Sequence, residues 1–477
     1  MSELVGIDAV VPRAIAPSTS TRGLSTRGLG VAALAACVLA SGWLALGAAG
    51  SRYLLELPTS SSPHWIAGPL LGLSGLVGTL DANALSGALA ILAAGYLLAL
   101  ACAARIPLRA ALGAIALANL AFTLGPTIVS TDVFGYIAYA RELVHGLDPY
   151  VSAPISLHDG SLLRFVYWKH QPSPYGPLFS AASAPLGLLS ASAALWLYKA
   201  AAGVASVLTA LIVARVAERR GLDPARAAIL VGLNPVLLFY AVSGAHNDLL
   251  AVALMVGAIA LMVDGRDSWA GAAAVAAAAV KLTVGLALPF VLLGAVRRGR
   301  ATRGAALAVV AIGVPSLLLF GPDLFSQLHR ISTDRLFDTV FSGPDRLAKL
   351  LGTHITAAIR ALCTGLALVV ALATLVWVRR GADAITAAGW AFLALIASIA
   401  SLAPWYLAWL MPLAALGRSR RLRVVSLLAT AYLILVHLPA LGGEPWLSQA
   451  GSASSNASQI ASAGDLRGRP RPVAFTR

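Results

Sequence analysis

Charged residues and cysteines are scarce in this sequence. Only 12% of the 477 residues are charged, whereas soluble globular proteins carry about 25%. The three cysteines, Cys37, Cys102 and Cys363, fall inside apolar runs and lack metal-ligand spacing, so we interpret them as small core residues. Hydrophobic residues make up 58% of the chain, and its mean hydropathy is +0.81. This composition excludes a soluble globular protein and predicts an all-α polytopic membrane protein.

Acidic residues are the scarcer charged class, with 20 Asp and Glu against 35 Lys and Arg and a formal charge of +15. Such a balance can indicate a nucleic-acid partner, but 31 of the 35 bases are Arg and most lie in short loops between apolar runs. That distribution is typical of cytoplasmic loops, so no nucleic-acid partner is expected. The sequence also has no Walker loop, no GxGxxG turn after a strand and no HExxH, so nucleotide-dependent and metalloprotease chemistries lack support.

Apolar runs long enough to cross a hydrocarbon core of about 30 Å recur along the chain. The run 269–296 is too long for one simple helix, and Lys281 divides it into two short helices that we expect to meet near the outer surface. Counting both, the sequence predicts about 13 transmembrane helices, within a range of roughly 11–14. The candidate spans are 28–48, 82–103, 109–127, 191–214, 227–243, 247–264, 269–296, 304–320, 356–378, 385–403, 405–417 and 423–440.

The Arg clusters indicate the orientation of the chain. If the short apolar piece 176–190 is a re-entrant or surface helix rather than a span, every cluster falls on the cytoplasmic side. We therefore expect a multi-pass protein of the plasma (inner) membrane, with a cytoplasmic N-terminus and a functional site that faces outward. The expected divisions are a cytoplasmic segment 1–27, a transmembrane domain 28–440 with outer loops 130–175 and 321–355, and a disordered tail 441–477.

The stretch STDVFGYIAYARELVHGLDPY, residues 130–150, interrupts the apolar runs with charged and aromatic residues. Its capping residues predict a short helix over 132–145 at the outer membrane surface, with Asp132, Tyr136 and Tyr139 on one face. A carboxylate in that position can take a proton from a sugar hydroxyl or bind a divalent cation. Two plainer interpretations stay open, namely Asp132 as a helix cap and the tyrosines as an interfacial aromatic belt.

Two further groups of polar residues interrupt apolar runs. In SGAHNDLL, Asn247 and Asp248 can cap the following helix, whereas His246 has no capping reason and is the stronger functional candidate. Lys281 lies inside an apolar run, where an ionisable side chain indicates function unless it snorkels from a helix end. The aromatic APWYLAW, residues 403–409, is most simply a membrane-interface belt, although Trp405 and Tyr406 could also stack on a sugar.

Four blocks of the sequence resemble the GT-C glycosyltransferases and, within them, the actinobacterial MptA/MptB-type α-(1→6)-mannosyltransferases. The blocks are TDVFGYIAYARELVHGLDPY, PSPYGPLF, GLDPARAAILVGLNPVLLFYAVSGAHNDLL and VKLTVGLALPFVLL, which follow the family's order over roughly 125–295. The resemblance implies a GT-C-like bundle with short surface helices in the first outer loop. It also implies transfer of a hexose, mannose above all, from a polyprenyl-phosphate donor to a glycan or glycolipid acceptor on the outer face of the plasma membrane.

The resemblance also assigns roles to individual residues. Asp132 maps to the proposed catalytic base, which would deprotonate the acceptor hydroxyl in a single inverting displacement. The leaving phosphate monoester is already a stable anion, so no metal site is required, and a divalent cation stays open as a cofactor. The implied donor-phosphate ligands are Arg141, Lys169, His246 and Lys281, and the implied sugar or acceptor ligands are Tyr136, Asp148, Tyr150, Tyr175, Asn247 and Asp248.

Two alternatives remain on the sequence alone. One is a lipid-linked sugar transporter or flippase, although such proteins often show paired halves, which this sequence lacks. The other is a GT-C transferase for a different sugar, such as arabinofuranose or glucose. The tail 441–477 departs from the family, in which further spans are expected there, and this leaves the acceptor open.

Overall fold

The protein is described from a computed structural model that covers residues 20–50, 64–326 and 338–438. Within these ranges the chain forms helices and no β-strand, which confirms the all-α prediction. The expected disordered tail 441–477 lies outside the described residues, as does most of the expected cytoplasmic segment 1–27.

Eighteen helices lie in the described residues, besides several short 3-10 turns and one π-helical turn. They are α1 Ser20–Gly50, α2 His64–Ala67, α3 Ala82–Cys102, α4 Leu108–Leu124, α5 Asp132–Val144, α6 Gly160–Leu163, α7 Pro177–Ser183, α8 Ala191–Arg219, α9 Pro224–Gly232, α10 Asp248–Val263, α11 Asp267–Val280, α12 Ala287–Gly294, α13 Arg298–Phe320, α14 Gly343–Leu350, α15 Ala357–Arg379, α16 Ala384–Ser398, α17 Leu407–Leu416 and α18 Arg420–Val436.

Long apolar helices make this a multi-pass membrane protein. Five helical segments of the described chain are long and apolar enough to cross a membrane, and seven shorter apolar helices pack among them. The first helix begins at Ser20, eight residues before the predicted start, because its polar first turns continue the apolar helix without a breaker. The five long segments are Thr26–Gly50, Ala82–Arg105, Ala191–Arg219, Arg298–Phe325 and Ala357–Arg379.

Two predicted spans are broken by local chemistry. The chain over 227–243 is not one helix as predicted, since α9 ends at Gly232 and the π-helical turn Leu237–Val242 follows Pro235. Asn234 accepts hydrogen bonds from the next two free amides and restarts the helix there. The predicted break at Lys281 is confirmed, because α11 ends at Val280 and Lys281 is extended.

The loop 130–175 holds short helices, as predicted. Residues 130–175 contain α5, α6 and a 3-10 turn, Pro154–Leu157. The piece 176–190 forms the short α7 followed by a 3-10 turn over Ala184–Leu188, which is too short to span and fits the expected surface or re-entrant helix. Gly187 lets this turn pack directly on α5, because a Cβ atom there would overlap the Ala140 carbonyl.

Polar contacts gather at the two ends of a central pair of helices, α10 and α17, which pack side by side. At one end, Arg219 pairs with Asp264, while Arg220 binds Asp383 at 2.8 Å and the Leu416 carbonyl at 3.1 Å. At the other end lie the first residues of α10 and α17. The 16 residues of α10 separate these ends, which corresponds to about 24 Å.

Candidate active site

Asp132, the first residue of α5, is the centre of the candidate site. Its Oδ1 atom accepts a hydrogen bond from Trp168 Nε1 at 3.1 Å, and its Oδ2 atom lies 3.4 Å from His246 Nδ1. The Asp132 side chain is 18% exposed, whereas the His246 side chain has no exposed surface. Two ring nitrogens therefore hold the carboxylate from the protein side, while part of it remains accessible.

The charge state of Asp132 follows from opposing influences. Burial on its own would raise the pKa of this carboxyl, because it disfavours the ionised form. The contact with His246, the hydrogen bond from Trp168 and the charge of Lys281 all act in the other direction and outweigh burial. The pKa of Asp132 is therefore lowered from its ordinary value, and the side chain is a carboxylate at neutral pH.

A strained turn orients His246. Ala245 has a φ of +54°, a left-handed conformation that residues with a Cβ atom rarely adopt. Gly244 leaves room for the imidazole, since a Cβ atom there would lie 2.6 Å from His246 Nε2. The His246 ring stacks on Trp405, with 3.7 Å between ring centroids and 17° between ring planes. These contacts fix the ring with Nδ1 towards Asp132.

A second carboxylate, that of Asp248, lies two residues farther along the same turn. It is fully buried, and its Oδ2 atom lies 3.0 Å from Lys281 Nζ. Its Oδ1 atom accepts a hydrogen bond of 2.7 Å from Trp409 Nε1. Both oxygens of Asp248 are thus used by the protein, and the carboxylate holds the Lys281 ammonium in place.

Lys281 is placed where α11 ends and the chain becomes extended. Its Nζ atom lies 5.8 Å from the ring centroid of Tyr175 and 5.7 Å from that of Tyr406, distances at which a cation interacts with an aromatic face. The Lys281 side chain is 18% exposed, as is that of Asp132. The accessible charges of the cluster are therefore an ammonium and a carboxylate.

The PSPYGPLF segment is fixed against the chain next to Lys281. The Gly176 amide donates to the Val280 carbonyl at 3.1 Å, and a Cβ atom on Gly176 would overlap the Ala279 carbonyl. The Tyr150 hydroxyl donates to the Tyr175 carbonyl at 2.9 Å. The loop 130–175 and the α11 break therefore form one unit beside the site.

Two of the predicted phosphate ligands lie away from this cluster. Arg141 is nine residues along α5 from Asp132, about 13.5 Å along the helix axis, and it pairs with Asp159. With His145 and neighbouring leucines it lines a separate pocket of about 340 Å³. Lys169 is exposed and follows Trp168 in the sequence, but no described contact joins it to Asp132. The structure does not bring either base to the carboxylate.

Most of the predicted sugar or acceptor ligands are enclosed by protein. Tyr136 is buried and its hydroxyl accepts a hydrogen bond from the Asn247 amide at 3.3 Å. Asn247 and Tyr150 are also buried, and Asn247 makes no side-chain cap to α10. Asp148 is partly exposed and accepts from the Tyr150 amide at 2.9 Å. Their sugar-binding roles stay predictions, and the enclosed side chains would act through their neighbours.

The capping interpretation of Asp132 does not fit the structure. The cap position of α5 is Thr131, which makes no side-chain capping bond, and the Asp132 carboxylate is directed to Trp168 and His246. The belt interpretation of 403–409 is wrong as well, because Trp405 and Trp409 are buried and contact His246 and Asp248.

No sequence pattern predicts the contacts that three tryptophans make in the cluster. Trp168, Trp405 and Trp409 contact the two carboxylates and His246, yet each lies among aromatic residues typical of a membrane interface. One available signal was the spacing of Trp405 and Trp409, because side chains four positions apart lie on the same face of a helix.

No metal centre is visible in the part of the chain that the structure describes, since no three His, Cys, Asp or Glu side chains there converge as ligands. Asp248 uses both oxygens for protein donors, and Asp132 contacts a protein nitrogen through each oxygen. A hard divalent cation would need several oxygen ligands. The expectation that catalysis does not require a metal stays a prediction.

These features define a multi-pass, all-α membrane protein with a carboxylate-centred site at one end of its bundle. Residues 27–297 match the model of the MptA/MptB family, described as alpha-(1->6)-mannopyranosyltransferase, N-terminal domain, and residues 346–451 match the MptB C-terminal domain. The chain therefore belongs to the MptA/MptB family. All of the residues in the cluster fall within the N-terminal match except Trp405, Tyr406 and Trp409, which fall within the second match.

Several curated relatives are similar over part of their length. Alpha-(1->6)-mannopyranosyltransferase A of Mycobacterium tuberculosis is 30% identical over 62% of this chain and 63% of its own length. Two Corynebacterium glutamicum proteins, alpha-(1->6)-mannopyranosyltransferases A and B, are 29% and 26% identical over 34% and 40% of this chain, and over 34% and 35% of their own lengths. The matches thus span less than two thirds of each relative. No solved structure matches the chain.

Proposed function

We propose that this protein is a membrane mannosyltransferase. It transfers mannose from a polyprenyl-phosphate donor to a hydroxyl group of a glycan or glycolipid acceptor. The names of the similar proteins support the class of reaction. The observation that carries the proposal is the contact between Asp132 and His246 in the same cluster as the accessible Lys281, because transfer to a hydroxyl needs a proton acceptor next to a cation for the leaving phosphate.

Asp132 is the proton acceptor in this proposal. The acceptor oxygen forms a bond to the anomeric carbon of mannose, the bond between that carbon and the phosphate oxygen breaks, and the phosphate leaves with the electron pair. The hydroxyl proton moves to Asp132 late in this step, when the attacking oxygen has become acidic through its new bond. A carboxylate with a lowered pKa suits this order, because it is already ionised when the acceptor arrives.

Lys281 is the cation for the donor phosphate. Its ammonium carries three hydrogen-bond donors, and the described contacts direct it to one Asp248 oxygen. The remaining donors are available for phosphate oxygens on the accessible side. The faces of Tyr175 and Tyr406 flank the ammonium, and the partly exposed ring of Tyr406 can also stack on a sugar.

The reaction inverts the anomeric centre. A retaining displacement needs a carboxylate nucleophile in addition to the acid–base group. In the described part of the cluster the other carboxylate, Asp248, is fully buried and bonded to Lys281 and Trp409. A single displacement with Asp132 as base is therefore the simplest course, and it gives an α-linkage from a β-donor.

The site faces outward in this proposal. Arg219 and Arg220 lie at the end of α8, where they contact the C-terminal ends of α10 and α17. The first turns of α13 and α18 are also rich in Arg, and each of these helices follows a short turn. Arg-rich ends face the cytoplasm under the positive-inside rule. Asp132 and Lys281 lie at the opposite end of α10, which corresponds to the outer face of the plasma membrane.

The proposal is tested with the purified full chain in liposomes that contain extracted cell-envelope glycolipids. Polyprenyl-phosphate-[¹⁴C]mannose should label the glycolipid fraction, while GDP-[¹⁴C]mannose should give no product. Label in the product only from polyprenyl-phosphate-arabinofuranose or polyprenyl-phosphate-glucose would replace the sugar but keep the reaction class. Movement of intact donor lipid between leaflets without any labelled product would instead identify a flippase.

A further inference from the structure

Lys199 is a fully buried lysine within one of the long apolar helices. It belongs to α8, and none of its surface is exposed. Its Nζ atom donates to the Ser243 carbonyl at 2.8 Å and to the Pro126 carbonyl at 3.3 Å. It takes part in none of the ion pairs found among the described residues.

The two carbonyls belong to the two segments that deliver the Asp132–His246 pair. Pro126 lies between α4 and α5, in the short segment that ends at Asp132. Ser243 caps the π-helical turn and precedes His246 by three residues. One ammonium on a third helix therefore joins the backbones on both sides of the contact.

Burying a lysine side chain costs free energy that burying an apolar side chain of similar volume does not. Removing a charge from water costs several kcal/mol unless polar partners compensate for it, and leucine or methionine would pack in the same volume. Snorkelling does not explain Lys199, since its side chain is not at the surface. Its partners are backbone carbonyls at or near helix ends, where unpaired acceptors carry partial negative charge.

We infer that Lys199 is a positioning residue that sets the distance between Asp132 and His246. This inference rests on the proposed role of Asp132 as the base. Lys199 does not touch the substrate in this account. It fixes the segment before α5 against the turn before α10, so that the imidazole stays within reach of the carboxylate.

The test compares Lys199→Met with a matched control, Thr209→Val. Thr209 is also a buried polar residue of α8, but its hydroxyl donates only to the Ala205 carbonyl of the same helix. For Lys199→Met we expect kcat to fall about 10- to 100-fold, because a misplacement of about 1 Å can cost about 100-fold in rate. The KM for the donor should change less than about threefold. Thr209→Val should keep both constants.

Hydrogen exchange of the full chain in detergent gives a readout that does not depend on activity. In Lys199→Met, peptides that cover 126–134 and 240–248 should take up deuterium faster, while those from α15 should be unchanged. Lys199→Gln keeps a neutral donor that can reach one carbonyl, so its kcat should lie between those of the wild type and the Met variant.

The acid limb of the pH–rate profile of Lys199→Met should also move to higher pH, since a more distant His246 no longer lowers the pKa of Asp132. Several results would overturn the inference: an unchanged kcat and profile, exchange that rises evenly over the whole chain, or failure of both Lys199 variants to fold while Thr209→Val folds. A fully active Asp132→Asn variant would instead remove the proposed base, so the two failures are distinguishable.

Discussion

Replacing His246 by phenylalanine is the perturbation that separates the two roles open to this residue. His246→Phe keeps an aromatic ring to stack on Trp405 but removes Nδ1, which lies 3.4 Å from Asp132 Oδ2. If His246 holds the base, the variant changes the pH dependence of the reaction. If His246 binds the donor phosphate, as the sequence analysis predicts, the variant instead raises the donor KM at every pH.

The expected size of the effect follows from the contacts of Asp132. His246 Nδ1 lies 3.4 Å from this carboxyl and is one of the groups that lower its pKa. A hydrogen bond to a charged group contributes about 1.5–3 kcal/mol, and one pKa unit corresponds to about 1.36 kcal/mol. The acid limb of kcat/KM should therefore move up by about 1–2 pH units in His246→Phe, because burial then raises the pKa of Asp132 with less opposition.

The measurement is the initial rate of mannosyl transfer over about pH 3.5 to 9, a range that spans the ordinary pKa values of carboxyl and imidazole groups. The rate of the wild type should stay constant towards acid pH. The rate of His246→Phe should fall there and recover to within about tenfold of the wild type at pH 8. His437→Phe is the control, since His437 is a buried histidine that bonds only to the Leu433 carbonyl in its own helix. Superimposable normalised profiles of the wild type and His246→Phe would refute the reasoning.

Two other substitutions test separate parts of the account. Lys281→Met should raise the donor KM at least tenfold, because the donor phosphate loses its ammonium partner. The control is Lys349→Met, which removes an exposed lysine paired with Asp345 and should leave the steady-state kinetics unchanged. Equal donor KM values for the two variants would count against Lys281. Burial raises the pKa of Glu142 to about 7, so its ionisation destabilises the fold: stability is highest near and below pH 4.5 and falls as pH rises towards 7. In detergent, the melting temperature of Glu142→Gln should therefore be close to that of the wild type at pH 5 and higher at pH 8. At pH 8 its free energy of unfolding should exceed that of the wild type by up to about 3 kcal/mol. A melting temperature below that of the wild type at pH 8 would contradict this.

The sequence was sufficient for the class of fold and for the residues that carry charge at the site. Apolar runs identify membrane helices because a bilayer leaves the backbone no other partners. Asp132, His246, Asp248 and Lys281 stood out because polar groups inside apolar runs are costly. The structure brings all four into one cluster.

The pairing within the cluster could not be predicted in the same way. His246 comes from the turn before α10, and Trp405 and Trp409 lie about 160 residues farther along the chain, so their contacts depend on helix packing that one sequence does not encode at a fixed spacing. By sequence alone, Lys199 lies near the outer end of its predicted span, where snorkelling would suffice; only packing reveals the carbonyls of Pro126 and Ser243. Arg141 matched a phosphate ligand by type, but α5 carries it away from Asp132.

The most direct test of the central claim is the transfer of label from polyprenyl-phosphate-[¹⁴C]mannose by Asp132→Asn. The amide keeps the size of the side chain and can still accept from Trp168, but it cannot take a proton from the acceptor. Asp159→Asn is the matched control, since Asp159 is another ion-paired acid of the same outer loop. The account predicts that Asp132→Asn inserts and folds but loses at least 100-fold in kcat, in line with general-base catalysis worth about 10²–10⁴, while Asp159→Asn stays active. Wild-type rates in Asp132→Asn would contradict it.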